Sequence, residues 1–111
     1  MKEVKRGELY YAHLPINVGS EQSGKRPVVI IQNDRGNEYS PTTIVALITS
    51  QNKKYLPTHV KIRNKVLPYN SIIMAEQVRT VDKSRLSNYI GKMTDNEIEC
   101  LNKALSISLS L

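Results

Sequence analysis

Residues Gly19 to Ile31 read GSEQSGKRPVVII, and they place Glu21, Gln22, Lys25 and Arg26 at the mouth of an apolar run. A turn there would need only the glycines. The chemistry such groups could serve is phosphoryl transfer. Cutting RNA through its own 2′-OH requires a base for the 2′ proton and an acid for the leaving 5′ oxygen. It also requires cationic or hydrogen-bonding groups that hold the pentavalent phosphate. A histidine pair is the obvious acid and base, but His13 and His59 lie in separate segments and nothing in their spacing brings them together. A two-metal nuclease needs converging carboxylates. Glu76 lies in an apolar run, while Glu21, Asp34 and Asp82 all have turn or cap explanations. No Cys/His spacing suits zinc, so neither metal nor cofactor is expected.

The other candidates stand at strand ends. Arg26 is held extended by Pro27, and an arginine can grip a phosphate through two N–H groups. Thr49 closes the run TTIVALIT and offers a hydroxyl. Gln77 and Arg79 alternate off one face of SIIMAEQVRT, with Glu76 on the other. If these strands are neighbours, Arg26, Thr49 and Gln77 line one rim. The structural alternative pairs Arg26 with Glu21 or Glu76 and leaves Thr49 as a strand-end hydroxyl. Taken singly, each residue fits that alternative better.

The elements that must position these groups are short. Strands are predicted over Gly7–Leu14, Arg26–Asn33, Thr42–Thr49, Thr58–Ile62 and Ser71–Thr80. Pro15–Lys25 reads as a long polar loop, SQNKKYLP as another loop, and DRGNEYSP and NKVLPYN as turns. The runs VVII, IVALI and IIMA are continuous, so those strands should be covered on both faces, by a helix or by another subunit. Short strands joined by Gly/Pro turns suggest a small barrel or strongly bent sheet. TDNE (Thr94–Glu97) is a capping box. Ile98, Leu101, Leu105 and Ile107/Leu109 follow at helical spacing, with Ala104 filling in. DKSRL reads as one helical turn begun by Asp82, and SNYIGKM as a brief extended piece.

The chain of 111 residues fits a single domain over 1–111. It has no run of about 18 apolar residues, and its N-terminus lacks the apolar core of a signal peptide. A cytoplasmic protein with no membrane partner is expected. Cys100 has no partner for an internal disulfide and is expected to be a half-buried thiol of the helix. The net charge of +6 is unevenly spread, since Asp95, Glu97 and Glu99 face only Lys103 in the last segment. A basic body suits a polyanion such as nucleic acid, although solubility alone would also explain it.

The blocks KRGELYYAHL, GSEQSGKRPVVIIQND, SPTTIVALIT, LPTHVKI, SIIMAEQVRTVDKSRL and ALSISL, in this order, resemble the MazF/PemK/Kid family of toxin endoribonucleases, above all its Gram-positive members. The resemblance runs from Lys5 to the C-terminus. It implies a mainly β fold, an SH3-like small β-barrel with a C-terminal helix, acting as a homodimer, which would also account for the doubly covered strands. It implies metal-independent cutting of single-stranded RNA to 2′,3′-cyclic phosphate and 5′-OH ends, with sites of the U-A-C-A-U kind expected from close relatives. A MazE-type antitoxin, with an acidic C-terminal tail over the RNA groove, is the implied partner. By the same resemblance Arg26 and Thr49 are catalytic, Arg26 in proton transfer and phosphate stabilisation and Thr49 as a second stabiliser. Ser20, Glu21, Gln22, Lys25, Asn33, Leu56, His59, Gln77 and Arg79 border the RNA, with Glu76 beside them. Ser23 stands where the family usually has glycine, and the Ser50–Tyr55 and Lys61–Asn70 segments look slightly short. The alternative on the same fold is a binding module without catalysis, or a gyrase-directed toxin of the CcdB type.

Overall fold

A computed structural model describes residues 3–15, 24–50 and 54–111. The strands are β1 (Glu8–Leu14), β2 (Gly24–Ile30), β3 (Thr42–Thr49), β4 (His59–Lys61), β5 (Ile72–Asp82) and β6 (Leu86–Lys92). The helices are α1 (Asp34–Tyr39) and α2 (Asp95–Leu109), with a single 3-10 turn at Lys83–Arg85. All strands join one antiparallel sheet in the order β4-β5-β3-β2-β1-β6. The expected mainly β architecture with a C-terminal helix is therefore present. No helix among the described residues is long and apolar enough to cross a membrane.

Alternate residues of each central strand enter different cores. Val29, Ala46, Ile48, Ile73 and Ala75 join Leu101, Ala104 and Leu105 of α2 on one face. Val28, Ile30, Val45, Leu47 and Met74 pack with Tyr10, Ala12 and Leu86 on the other. Both faces are thus buried by this one chain, and the doubly covered strands need no second subunit. The sheet achieves this by bending. β1 shifts register against β6 between Leu9 and Tyr10 and again before Ala12, and such bulges sharpen twist and curl the sheet. Gly7, where β1 begins, has φ +91°, and a Cβ there would stand 3.1 Å from Ile98 Cδ1. Only glycine brings this strand so close to α2 in that conformation.

The Thr94 cap forms as read: its hydroxyl accepts from Glu97 N–H at 3.2 Å, and the Glu97 carboxylate accepts from Thr94 N–H at 2.9 Å. Asp82 opens the 3-10 turn by accepting from Ser84 N–H at 2.9 Å. The extended piece after that turn is a strand, β6, over Leu86–Lys92. Other expectations fail. DRGNEYSP is not merely a turn, because Asn33 accepts from Gly36 N–H at 2.8 Å and caps α1. That shortens β2, which ends at Ile30 rather than Asn33. Asn37 of α1 is buried and accepts from Thr43 Oγ1 at 2.7 Å, while its carbonyl accepts from the ammonium of the buried Lys83. Cys100 is exposed, not half-buried, because it lies on the solvent face of α2.

Candidate active site and RNA groove

The register of the sheet decides which side chains meet. β2 and β3 pair Val28 with Leu47 and Val29 with Ala46. Pro27 offers no N–H to lengthen that ladder, but the same register carried onward sets Arg26 against Thr49. Thr49 pairs with Ile72 of β5, and Ile72 with Lys61 of β4. On its other side Arg26 pairs with Ala12 of β1. Opposed residues of an antiparallel sheet share a face. Lys61, Ile72, Thr49 and Arg26 therefore form one row across the sheet. The next row inward on that face is His59, Met74, Leu47 and Val28, all buried. The outer row is a polar rim on an apolar layer. With strands about 4.8 Å apart, the Arg26 and Thr49 backbones are close enough for both side chains to serve one phosphate. Thr49 is buried and Arg26 half-buried, so their positions are fixed by the core behind them.

Beside the rim lies a second polar group. β5 breaks register against β3: Met74 pairs with Leu47, but Val78 pairs with Ala46. Ala75, Glu76 and Gln77 fall in the bulge between those rungs. Glu76 accepts from Thr58 Oγ1 at 2.7 Å and lies 3.2 Å from His59 Nε2. His59 is only 4% exposed. Its Nδ1 accepts from Leu56 N–H at 3.2 Å. That atom therefore carries no proton, and Nε2 is the donor to Glu76. Tyr55 donates to the His59 carbonyl at 2.8 Å and meets its ring edge-on. Burial alone would raise the Glu76 carboxyl. The hydrogen bonds from Thr58, its own backbone and His59 together hold it below the usual carboxylate range.

The structure brings together much of what the sequence nominated. Arg26, Thr49, His59 and the bulge carrying Gln77 converge on one end of the sheet. Lys25 is exposed beside Arg26, with its ammonium 5.3 Å from the Tyr11 ring centroid. Leu56 is exposed at the entrance to the His59 cluster. Arg79 pairs with Val45, so it shares the face of Arg26 and Thr49 but lies further down the strand. Asn33 stands beyond the opposite end of β2 from Arg26, as the cap of α1. Ser20, Glu21, Gln22 and Ser23 lie outside the described residues. His13 and His59 stand on β1 and β4 with β2, β3 and β5 between them, so they form no pair. The Glu76 carboxylate, the other partner the structural alternative offered Arg26, is engaged by Thr58 and His59. Sequence reasoning missed Thr58, Tyr55 and Lys61. The only available signal was THVK opposite an apolar strand that breaks at AEQ.

Residues 5–109 match the family described as PemK-like, MazF-like toxin of type II toxin-antitoxin system. The chain is 51% identical to Endoribonuclease EndoA of Bacillus subtilis (strain 168), over 97% of this chain and 96% of that one. Its fold resembles MazF from Deinococcus radiodurans, with TM-score 0.84 and 20% identity over all of both chains. It also resembles a mycobacterial endoribonuclease solved with its cognate antitoxin, with TM-score 0.79 and 24% identity over 97% of this chain and 96% of that one. By the near-full-length match and the fold together, this chain belongs to the PemK-like, MazF-like toxins of type II toxin-antitoxin systems.

Proposed function

We propose that this toxin is an endoribonuclease that cuts single-stranded RNA at short specific sequences without a metal. Sites of the U-A-C-A-U kind and 2′,3′-cyclic phosphate and 5′-OH ends belong to the same proposal. The observation that carries it is the register that sets Arg26 against Thr49 on a rim backed by buried strands. In this reading the 2′-oxygen attacks the adjacent phosphorus as its proton passes to solvent water, and the bond to the 5′ oxygen breaks as that oxygen takes up a proton from solvent. The Arg26 guanidinium keeps its charge throughout and donates N–H groups to the developing phosphorane. Thr49 adds a hydroxyl donor. Fixed donors of this kind act where charge appears in the transition state. Arginine is a poor general base for the same reason that it is a good electrostatic one, so its role in proton transfer is secondary here. Gln77, Leu56 and His59 flank the path of the unstacked bases, with Lys25, Arg79 and the Ser20–Gln22 segment as further contacts. A homodimer, a MazE-type antitoxin competing for this groove, and action in the cytoplasm complete the proposal.

The test is incubation of the protein with a long RNA in EDTA, followed by sequencing of every new 5′-OH end. Discrete, sequence-defined cuts are expected, and they should vanish in Arg26→Ala while that variant stays folded. Uncut RNA, together with gyrase poisoning, would replace this reading with that of a gyrase-directed toxin.

A further inference from the structure

The loop after β4 carries features that the cleavage site does not use. From Tyr39 to Ala75 the sequence has no Asp or Glu, yet it holds Lys53, Lys54, Lys61, Arg63 and Lys65. Within this basic stretch the Arg63 guanidinium carbon lies 4.2 Å from the Tyr69 ring centroid, and Arg63 also donates to the Tyr69 hydroxyl at 2.8 Å. Tyr69 nevertheless remains 77% exposed. Arg63 N–H donates to Glu97 at 3.0 Å, which ties the loop to the cap of α2. That carboxylate is engaged by the backbone of Thr94 and Arg63. Among the described residues no carboxylate forms an ion pair with Arg63, Lys61 or Lys65. Arg63, Lys65, Leu67 and Tyr69 border an open hollow of about 410 Å³.

We propose that this loop extends the RNA path, with Tyr69, braced by Arg63, stacking a base that flanks the cleaved site while Lys65 and Lys61 hold the adjoining phosphates. The inference rests on the endoribonuclease reading and deepens it. Lys61 connects the two regions, because it stands in the row of Thr49 and Arg26 and precedes Arg63 by two residues. Crossing two strands and then following the chain to Arg63 gives a separation on the order of 12 Å from Thr49. That is beyond the reacting phosphate and within reach of a neighbouring nucleotide. Clamping one side chain in advance lowers the cost of ordering it on binding. An exposed aromatic ring among cations is the usual platform for single-stranded bases, each of which offers a π-face.

The experiment compares kcat/KM of the full chain on a short RNA holding only the cleavage site with RNAs extended on the 5′ or the 3′ side. Extension on one side is expected to raise kcat/KM. Tyr69→Ala should lose about tenfold on the extended RNA and nothing on the short one, whereas Tyr69→Phe keeps the gain. An abasic residue at the flanking position should reproduce the loss in the unmodified protein. Lys65→Ala should flatten the salt dependence on the extended RNA alone. Equal rates on short and extended RNA would overturn the inference. So would an equal loss by Tyr69→Ala on both, or a Tyr69→Ala effect confined to antitoxin affinity. A protein that cuts neither RNA would refute the endoribonuclease reading itself and this inference with it.

Discussion

Replacing His59 by alanine should cost about 3 kcal/mol of folding stability, of which about 1 kcal/mol is shared with Glu76. The larger part comes from packing. The ring is buried in the row of Met74, Leu47 and Val28, and truncating such a side chain leaves a hole. It also removes the acceptor of Leu56 N–H. The shared part is the Nε2–H bond to the carboxylate. A hydrogen bond to a charged group contributes about 1.5–3 kcal/mol when sheltered. The Glu76 side chain is 34% exposed, so the solvent-screened value falls to about 1. The assay is urea denaturation of the wild type, His59→Ala, Glu76→Ala and the double variant, read as a double-mutant cycle. The folded carboxyl of Glu76 lies below its ordinary value of 4.5. Its contribution is therefore complete above about pH 4.5 and is lost as pH falls through the folded value. The coupling should accordingly be present at neutral pH and shrink on acidification. A coupling below about 0.3 kcal/mol at neutral pH, or one that survives protonation of the carboxylate, would refute the assigned tautomer and bond.

Other outcomes follow from features away from that pair. Gly7→Ala should destabilise by about 1–2 kcal/mol in a thermal melt, because φ there is +91° and the new methyl meets Ile98. Lys83→Met should lower stability by about 1–2 kcal/mol by leaving the Asn37 carbonyl without its ammonium donor, although the apolar chain still fills the space. Arg26→Lys keeps the charge but loses the two-pronged donor, so RNA cleavage should fall at least about 100-fold while the denaturation midpoint stays put.

The strands were legible wherever both faces are apolar. The run Thr42–Thr49 was read to the residue because its neighbours on both sides are turn-formers. The helix was equally plain, because TDNE announces its start and every third or fourth residue is apolar. Helix α1 was not legible, because Gly36 in its middle looks like a breaker and its stability comes from tertiary bonds of Asn37 to Thr43 and Lys83. Cys100 was misjudged because helical spacing alone does not say how wide the buried stripe is. At the site, Arg26 and Thr49 were named from a resemblance, and from spacing each looked ordinary. Their opposition depends on the pairing of strands separated by α1, which no local pattern encodes. The His59–Glu76 bond was missed for the same reason, since it links a residue of β4 to a bulge in β5.

That bulge has a consequence for how the groove can diverge. The ladder between β3 and β5 is regular on each side of Ala75–Gln77, with the register shifted across it. The side chains at Glu76 and Gln77 therefore lie between rungs without setting the position of either. Gln77 can be exchanged while Met74 and Val78 keep the strands aligned, whereas Glu76 is tied to Thr58 and His59. The bulge thus lets one position of β5 vary in side chain without moving the row that holds Arg26 and Thr49.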